Sequence, residues 1–438
     1  MILDAKDVRK KLSKNILADG FEIIIDLKRS HGSYLVDHRN GDEYLDMFSM
    51  YASGAVGYNH PYIVSNKDIL GEIAINKTTL SDIYNVYYAE FLEIFNKIAI
   101  PSYLRNSFFI EGGSLAVENT LKTAFDWKKR KNLEKGSKVQ GDKIIYFNQA
   151  FHGRSGYTLT LTNTSDPRKT MYFPTFPWFK MDNPKLTFPI TDEVIKEVID
   201  LENNVIAKIN NIISVNQDNV AAIIIEPIQG EGGDNHFRNE FMISLRNICN
   251  ENDILLIFDE VQTGIGITGK IWAHEHFSVK PDIISFGKKT QVCGMLAGDR
   301  INEVKDNVFV ESSRINSTFV GNLVDMYRFK LILEIIENDN LLENAIKMGD
   351  YLLNKINKLE NDFPGYITNA RGRGLFCAFD LPSTIERDKM INILLDKKLI
   401  ILGSGDNTIR FRPHLNVKTE DIDLAYHLIS ETSKSMLN

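Results

Sequence analysis

Two short apolar runs, each ending at charged residues, constrain the fold of this chain more than any other feature. Residues 254–258 (ILLIF) lead directly into Asp259. Residues 283–286 (IISF) lead, after one glycine, into Lys288 and Lys289. Short apolar runs of this kind are typical of strands buried in a parallel sheet. Ligands bind at the carboxyl ends of such strands, so an acid and a lysine are predicted to face one site.

An acid and a lysine in one site suggest the chemistry of pyridoxal 5′-phosphate (PLP). A lysine amine forms a Schiff base with the aldehyde of this cofactor, and a carboxylate beside the pyridine nitrogen keeps the ring protonated. The alternative is that Asp259 only caps the next element, which would predict no cofactor.

The wider pattern predicts an α/β fold with two parts. Strands and helices alternate from about residue 107 to 290, which favours a mainly parallel sheet flanked by helices, with right-handed crossovers. The alternation is lost further on, which predicts a smaller α+β domain. We therefore predict an N-terminal segment (1–75) that joins the small domain, a large PLP-binding domain (76–320) and a C-terminal small domain (321–438).

Local patterns extend this prediction towards both ends of the chain. Near the N-terminus, residues 22–27 and 33–36 are predicted to be strands, and the segment from about 62 to 105 to be helical. Residues 46–61 are rich in small residues and form either plain turns or one wall of a pocket. Further predicted elements are helices at 190–218, 238–250, 322–338, 341–360 and 419–434, and strands at 374–381, 399–402 and 408–411.

A strand, a glycine pair and a helix follow one another near residue 110. Residues 107–110 are predicted to be a strand, and an amphipathic helix starts after Gly113 and Ser114. Free N–H groups at a helix start, approached closely through glycine, bind phosphate. Ordinary helix capping is the alternative.

A second loop adds an aromatic ring and a cation. The predicted strand 143–147 leads into Phe151 and Arg154, which suit a surface that stacks on a ring and a clamp for a carboxylate. Arg154 could equally be a surface arginine. The loop 166–189 is rich in proline and aromatic residues, and we expect it to lie at a dimer interface.

Composition excludes several other classes of protein. The net charge of −7, without a basic block, argues against nucleic-acid binding. No apolar run is long enough to span a membrane, and the first residues do not resemble a secretion signal. Cys249, Cys293 and Cys377 are too widely spaced to suggest a metal site and suit a reducing compartment. We therefore expect a cytoplasmic protein without a metal.

Together the motifs resemble a known family. EPIQGEGG (226–233), LLIFDEVQTG (255–264) and the lysine after PDIISFG resemble the class III, fold-type I PLP-dependent aminotransferases. The segment FGKKTQVCG (286–294) resembles the members that act on the ε-amino group of lysine. The resemblance covers nearly the whole chain, including residues 111–128, 150–164, 316–326 and 371–379.

The resemblance implies a role for each residue around the cofactor. Lys288, rather than Lys289, would form the Schiff base and later act as the base that moves a proton. Asp259 would pair with the ring nitrogen, and Gln262 would hydrogen-bond the ring hydroxyl. Three further residues would hold the phosphate, namely Gly113 and Ser114 of the same chain and Thr318 of the partner subunit, and Phe151 would stack on the ring.

The resemblance also implies a substrate pair and a homodimer with its active site at the subunit interface. The ε-amino group of L-lysine would pass to 2-oxoglutarate, giving 2-aminoadipate 6-semialdehyde, which cyclises to piperideine-6-carboxylate, and L-glutamate. Arg154 would hold the α-carboxylate of lysine and then the distal carboxylate of 2-oxoglutarate. Arg410 would bind the second carboxylate once Glu231 leaves it, and Asn316 would help to position Glu231 or the substrate.

Alternatives remain open at this point. The Glu231–Arg410 pair could be a permanent salt bridge. The enzyme could be another ω-aminotransferase, acting on ornithine or 4-aminobutyrate, or a PLP racemase or lyase on the same fold. A non-catalytic relative is the remaining alternative, against which the intact Lys288, Asp259 and Gln262 argue.

Overall fold

The computed structural model describes residues 3–438, so residues 1 and 2 of the predicted N-terminal segment lie outside it. In chain order, the strands are β1 (Tyr34–Val36), β2 (Glu43–Asp46), β3 (Asn106–Ile110), β4 (Lys143–Phe147), β5 (Phe179–Met181), β6 (Val220–Ile225), β7 (Leu255–Asp259), β8 (Ile283–Phe286), β9 (Cys293–Ala297), β10 (Thr368–Arg373), β11 (Phe376–Asp380), β12 (Leu399–Ile400), β13 (Leu402–Ser404) and β14 (Thr408–Phe411). The main helices are Val8–Leu12, Pro61–Ser65, Lys67–Ile75, Val86–Ile98, Gly113–Glu134, Gly156–Leu161, Asp192–Val215, Asn239–Glu251, Leu323–Asn338, Leu341–Asp362, Thr384–Asp396 and Thr419–Leu437.

The largest sheet has seven strands in the order β3-β9-β8-β7-β6-β4-β5. The strands from β8 to β5 run parallel, as predicted. Strand β9, which the sequence did not predict, is antiparallel to both β8 and β3. The link from β8 to β9 is a single short turn around Lys288–Thr290, which is too short for the crossover that a parallel neighbour requires.

Helices cover both faces of this sheet, and strand β7 shows how. Leu255 and Ile257 point into a cluster with Trp127 of the helix Gly113–Glu134. Leu256 and Phe258 point to the opposite face. That face is packed by the helix Asn239–Glu251, whose Phe241 and Leu245 belong to the same cluster. Two apolar faces are the reason that β7 is a continuous apolar run rather than an alternating one.

Two smaller sheets complete the fold. Strands β10, β11, β14 and β13 form an antiparallel sheet. Strand β12 pairs in parallel with β2 in a three-stranded sheet with β1. The N-terminal segment is thus joined to the C-terminal part of the chain, in agreement with the smaller α+β unit that was predicted. The boundaries at residues 75 and 320 stay predictions.

Some local predictions were wrong. Residues 22–27 form only an isolated bridge, between Ile25 and Asp37, and not a strand. The segment 62–105 is not one helical stretch but is divided among three separate helices. The sequence also did not predict strand β10 and the helix Thr384–Asp396. Within residues 3–438, no helix is both long enough and apolar enough to cross a membrane.

Candidate active site

A cavity of about 410 Å³ lies at the carboxyl ends of β7 and β8. Most of the residues that the sequence singled out line it, as the strand-end argument predicted. These residues are Gly113, Ser114, Phe151, Arg154, Asp259, Gln262 and Lys288.

Asp259, the last residue of β7, is held from two sides. Its Oδ2 accepts a hydrogen bond from Nδ1 of His152 at 2.8 Å. Its Oδ1 accepts from the Ser285 hydroxyl at 3.1 Å and from the Val261 N–H at 3.0 Å. Asp259 therefore does cap the turn that follows, but it also lines the cavity and is only 4% exposed.

His152 is a residue that sequence reasoning missed, although it lies between two residues that were chosen. It is buried, and its Nε2 has no hydrogen-bond partner in the part of the chain that the structure describes. Because an ionised carboxylate only accepts hydrogen bonds, the proton of His152 lies on Nδ1, facing Asp259. The imidazole thus fixes the orientation of the acid.

The two adjacent lysines have different surroundings. Lys288 lines the cavity, with its backbone in the left-handed region at φ 55°. Burial lowers the pKa of Lys288 and the nearby cation of Arg410 adds to this effect, while nearby carboxylates oppose it, so that the pKa is about 8. Lys289 is 1% exposed and points elsewhere, and its Nζ has no partner among residues 3–438. Burial lowers the pKa of Lys289 well below its usual range.

Gln262 is oriented by a buried ion pair that sequence reasoning did not find. Its Oε1 accepts hydrogen bonds from Nε and Nη2 of Arg412, at 3.1 and 3.0 Å. Arg412 is held by Asp234 at 2.7 and 2.8 Å and lies on the ring of Phe376. Because the amide oxygen of Gln262 already accepts hydrogen bonds from Arg412, the amide N–H groups are available to donate hydrogen bonds to a ligand. The signal in the sequence was the spacing of Arg410 and Arg412, two residues apart at the end of β14.

The phosphate site that the sequence predicts would lie at the start of the helix Gly113–Glu134, where Gly113 and Ser114 line the cavity. No side chain among the described residues caps this N-terminus. The Ser114 hydroxyl lies 2.5 Å from that of Ser155 and 2.7 Å from that of Thr158. Gly153 has a φ of +112°, and a Cβ there would overlap the Ser114 side chain. The two loops can therefore approach each other only through a glycine.

These features fit PLP. The uncapped helix start suits its phosphate, and the fixed carboxylate of Asp259 suits a protonated pyridine nitrogen. Lys288 brings an amine with a lowered pKa to the same cavity, and Phe151 and Val261 supply apolar lining.

Glu231 lies next to the cavity and is bound by two cations. Its Oε2 is 2.8 Å from Nη2 of Arg410, and its Oε1 is 2.7 Å from Nζ of Lys169. Burial alone would raise the pKa of Glu231, but Arg410 and Lys169 lower it to about 2. Nη1 of Arg410 is buried without a partner among residues 3–438. The sequence predicted the Glu231–Arg410 contact but gave no indication of Lys169.

Part of the segment 46–61 borders a small pocket that shares Gln262 with the cavity. Phe48 and Tyr51 border a small pocket together with Arg410 and Gln262. Ser49 to Ala52 all have left-handed backbone conformations, with φ from 42° to 67°, which costs about 1–2 kcal/mol per residue. The buried carboxylate of Asp46 offsets part of this cost by accepting the N–H groups of Phe48 and Ser49.

Three predicted residues remain exposed in the single chain. Arg154 lies at the cavity with no ion-pair partner among the described residues. Asn316 and Thr318 are exposed on a loop, and Asn316 borders a different pocket, beside Tyr84. One chain by itself does not bring Asn316 or Thr318 to the cavity.

Comparisons with known proteins agree over nearly the full length. Residues 17–432 match the family described as aminotransferase class-III. An L-lysine-epsilon aminotransferase of Mycobacterium tuberculosis is 47% identical, over 95% of this chain and 93% of the relative. One of Amycolatopsis lactamdurans is 43% identical, over 96% and 94%. A solved structure of lysine aminotransferase from M. tuberculosis superposes with a TM-score of 0.96 at 46% identity, covering 98% of this chain and 99% of that one.

Proposed function

The chain belongs to the class III aminotransferases, and we propose that it is an L-lysine 6-aminotransferase. It would transfer the ε-amino group of L-lysine to 2-oxoglutarate, giving 2-aminoadipate 6-semialdehyde and L-glutamate. The semialdehyde would cyclise to piperideine-6-carboxylate. The observation that carries the substrate assignment is that Arg410 is paired with Glu231, while Arg154, at the cavity, has no ion-pair partner among residues 3–438. Relatives with this activity, similar over nearly the whole chain, support it.

Enzymes of this family work with PLP, which supplies an aldehyde that condenses with the amine and a ring that accepts electrons. In this chain, Gly113 and Ser114 would hold its phosphate, and Phe151 would pack on its ring. Asp259, fixed by His152, would keep the ring nitrogen protonated. Gln262 would donate an amide N–H to the ring hydroxyl, because Arg412 occupies its oxygen.

Lys288 would first hold the cofactor covalently and then move a proton. When it is not bound to the cofactor, its Nζ would be free in the cavity. With a pKa of about 8, a substantial fraction of that amine is neutral near pH 7 to 8. It would therefore act as the base that takes a proton from Cε of lysine and as the acid that gives it back. Lys289 does not line the cavity.

Charge pairing would select lysine in the first half-reaction. Arg154, without an ion-pair partner in residues 3–438, would bind the α-carboxylate of lysine and leave the ε-amino group at the reacting end. Arg410 would be neutralised by Glu231 at that stage. A site with one available cation favours a substrate with one carboxylate, because a second buried charge would otherwise lack a partner.

The second half-reaction needs two cations. Arg154 would bind the distal carboxylate of 2-oxoglutarate, and Arg410 its α-carboxylate. Nη1 of Arg410 has no partner in the described chain, and Nη2 would become available when Glu231 moves away. Asn316 would help to position Glu231 or the substrate only from the partner subunit, because Asn316 of the same chain borders a different pocket.

The same proposal includes a homodimer with shared active sites. Thr318 and Asn316 are exposed and lie away from the cavity of their own chain, as expected if Thr318 of the partner subunit completes the phosphate site. We also propose a cytoplasmic location, which the free and buried Cys249, Cys293 and Cys377 favour.

The direct test is to incubate the purified enzyme with PLP, L-lysine and 2-oxoglutarate and to measure the cyclic imine and L-glutamate. Both products are expected in equal amounts. Ornithine and 4-aminobutyrate serve as competing amine donors. Faster turnover of either would show that the substrate assignment is wrong. Turnover of an amino acid without any oxoacid would favour a racemase or lyase instead.

A further inference from the structure

We propose that Lys169 is a positioning residue that retains Glu231 when the glutamate leaves Arg410, and that it thereby sets the affinity for the oxoacid. This inference rests on the proposed function, because it concerns the second half-reaction. Glu231 is ionised at working pH, since its pKa is lowered to about 2. Opening the pair with Arg410 therefore moves a full negative charge, which needs a second partner.

The carboxylate of Glu231 is already divided between its two cations. Oε1 contacts Nζ of Lys169 at 2.7 Å, while Oε2 contacts Nη2 of Arg410 at 2.8 Å. One oxygen can thus stay bound while the other is released. The charge keeps a partner throughout, so the energetic cost of releasing Arg410 is lowered.

The two cations differ in their freedom to move. Arg410 lies within strand β14, and its side chain is only 4% exposed. Lys169 is the last residue of the short turn Pro167–Lys169, and its flexible side chain is 23% exposed. Its Nζ lies 5.7 Å from the centre of the Phe151 ring, which is within the range of a cation–π contact. Lys169 can follow a moving carboxylate, whereas Arg410 stays at the substrate.

A cleft beside Glu231 provides the room for this movement. The cleft has a volume of about 500 Å³ and is bordered by Glu231 and Lys169, with residues 403–406 on its other side. Two arginines also border it, but both are already paired: Arg168 with Asp166, and Arg387 with Asp388. Within residues 3–438, Lys169 has Glu231 as its sole ion-pair partner. Among the cations at the cleft, Lys169 is therefore the one available to the glutamate.

The test compares the two half-reactions of the holoenzyme in the Lys169→Met variant. Without Lys169, Glu231 has only Arg410 as a partner, so 2-oxoglutarate must compete with a tighter pair. We expect KM for 2-oxoglutarate to rise about tenfold, equivalent to about 1.4 kcal/mol. The lysine half-reaction needs the closed pair and should change less than about twofold.

Binding of glutarate, an unreactive dicarboxylate, gives a measure that is independent of turnover. By calorimetry, Lys169→Met is expected to weaken glutarate binding about tenfold, and Lys169→Arg to restore it. Arg168→Met, which removes the neighbouring cation of the same cleft, should leave binding unchanged. In a Glu231→Ala background, Lys169→Met should have no effect, because the carboxylate that Lys169 holds is gone.

Equal losses in both half-reactions, or a full effect of Lys169→Met in the Glu231→Ala background, would overturn the proposal. Lys169→Gln provides a second variant if Lys169→Met folds poorly. Thermal melting shows whether each of the two variants is folded. The L-glutamate and 2-oxoglutarate half-reaction needs no lysine. If the enzyme fails to convert lysine but the variants behave as expected, only the substrate assignment is wrong.

Discussion

The site has a cofactor side, with Asp259 and Lys288, and a charge-pair side, with Glu231, Arg410 and Lys169. The two sides hold their charged groups in different ways. Asp259 is buried at the end of a central strand and takes hydrogen bonds from a histidine, a serine and a backbone N–H. Glu231 is 25% exposed, and its carboxylate is held by two side-chain cations, one of them flexible. The first arrangement permits one geometry, whereas the second permits at least two.

This difference follows from what each side must do. A cofactor that stays bound through every turnover favours groups that are preorganised and do not move. A pocket that must accept lysine and then a dicarboxylic acid favours charges whose pairing can change. Substitutions on the cofactor side should therefore impair both half-reactions equally, and substitutions on the charge-pair side should separate them.

The largest effect is expected for Lys288→Ala. Removing the amine that we propose binds the cofactor and transfers the proton should lower kcat by about 10³-fold or more and abolish the visible absorbance of the bound cofactor. The matched control is Lys289→Met, measured by absorbance and thermal melting. Because Lys289 is buried and its Nζ has no partner in the part of the chain that the structure describes, this variant should keep the absorbance and melt no lower than the parent. The reverse result would exchange the roles of the two lysines.

Asp259→Asn comes next. The amide keeps the shape of the side chain but loses the charge that would hold a proton on the ring nitrogen, so kcat should fall about 10²-fold in both half-reactions. Ser285→Ala removes only one of the contacts of this carboxylate and should cost less than tenfold. A selective loss in one half-reaction would contradict the view that this side serves both equally.

Arg410→Ala should separate the half-reactions. Losing one carboxylate partner costs about 2 kcal/mol or more, or roughly 30-fold in kcat/KM for 2-oxoglutarate. The lysine half-reaction should be affected much less, since Arg410 is neutralised there by Glu231. Stopped-flow measurement of the rate of each half-reaction tests this expectation. Similar losses of rate in both half-reactions would favour a permanent salt bridge between Glu231 and Arg410.

The smallest effect concerns the pH at which Lys288 reacts. Since burial lowers its pKa to about 8, the neutral amine is present above that pH and is lost as the pH falls through it. Labelling of Lys288 in the apoenzyme by trinitrobenzenesulfonate should rise with a midpoint near pH 8. A midpoint near that of exposed surface lysines would show that the cavity does not lower the pKa of this amine.

Much of the cofactor side could be predicted from local sequence. Apolar runs identified β7 and β8, and the residues that follow them were Asp259 and the adjacent Lys288 and Lys289, of which the resemblance selected Lys288. The glycine pair before a helix predicted the phosphate site at Gly113 and Ser114. These residues could be predicted because each lies within a few residues of the end of the strand or helix that positions it.

The charge-pair side could be predicted only through resemblance, and then incompletely. Lys169 and Glu231 belong to different loops, and Arg412 reaches Gln262 and Asp234 from the far end of the chain. No local pattern encodes such contacts, because they depend on how the loops are placed. Strand β9 was not predicted, and its antiparallel direction is decided by the short turn that contains Lys288.

By itself, the sequence determined that this chain builds a mainly parallel sheet, because strands that are buried on both faces must be apolar. It also determined that an acid and a lysine lie at the carboxyl ends of two of these strands, because polar residues follow the apolar runs there. The tertiary structure places Lys288 at the cavity, as the resemblance implied, and it alone decided which arginine fixes Gln262 and which second cation binds Glu231. Those choices depend on distances between segments remote in sequence, and on the burial that makes each unpaired charge costly.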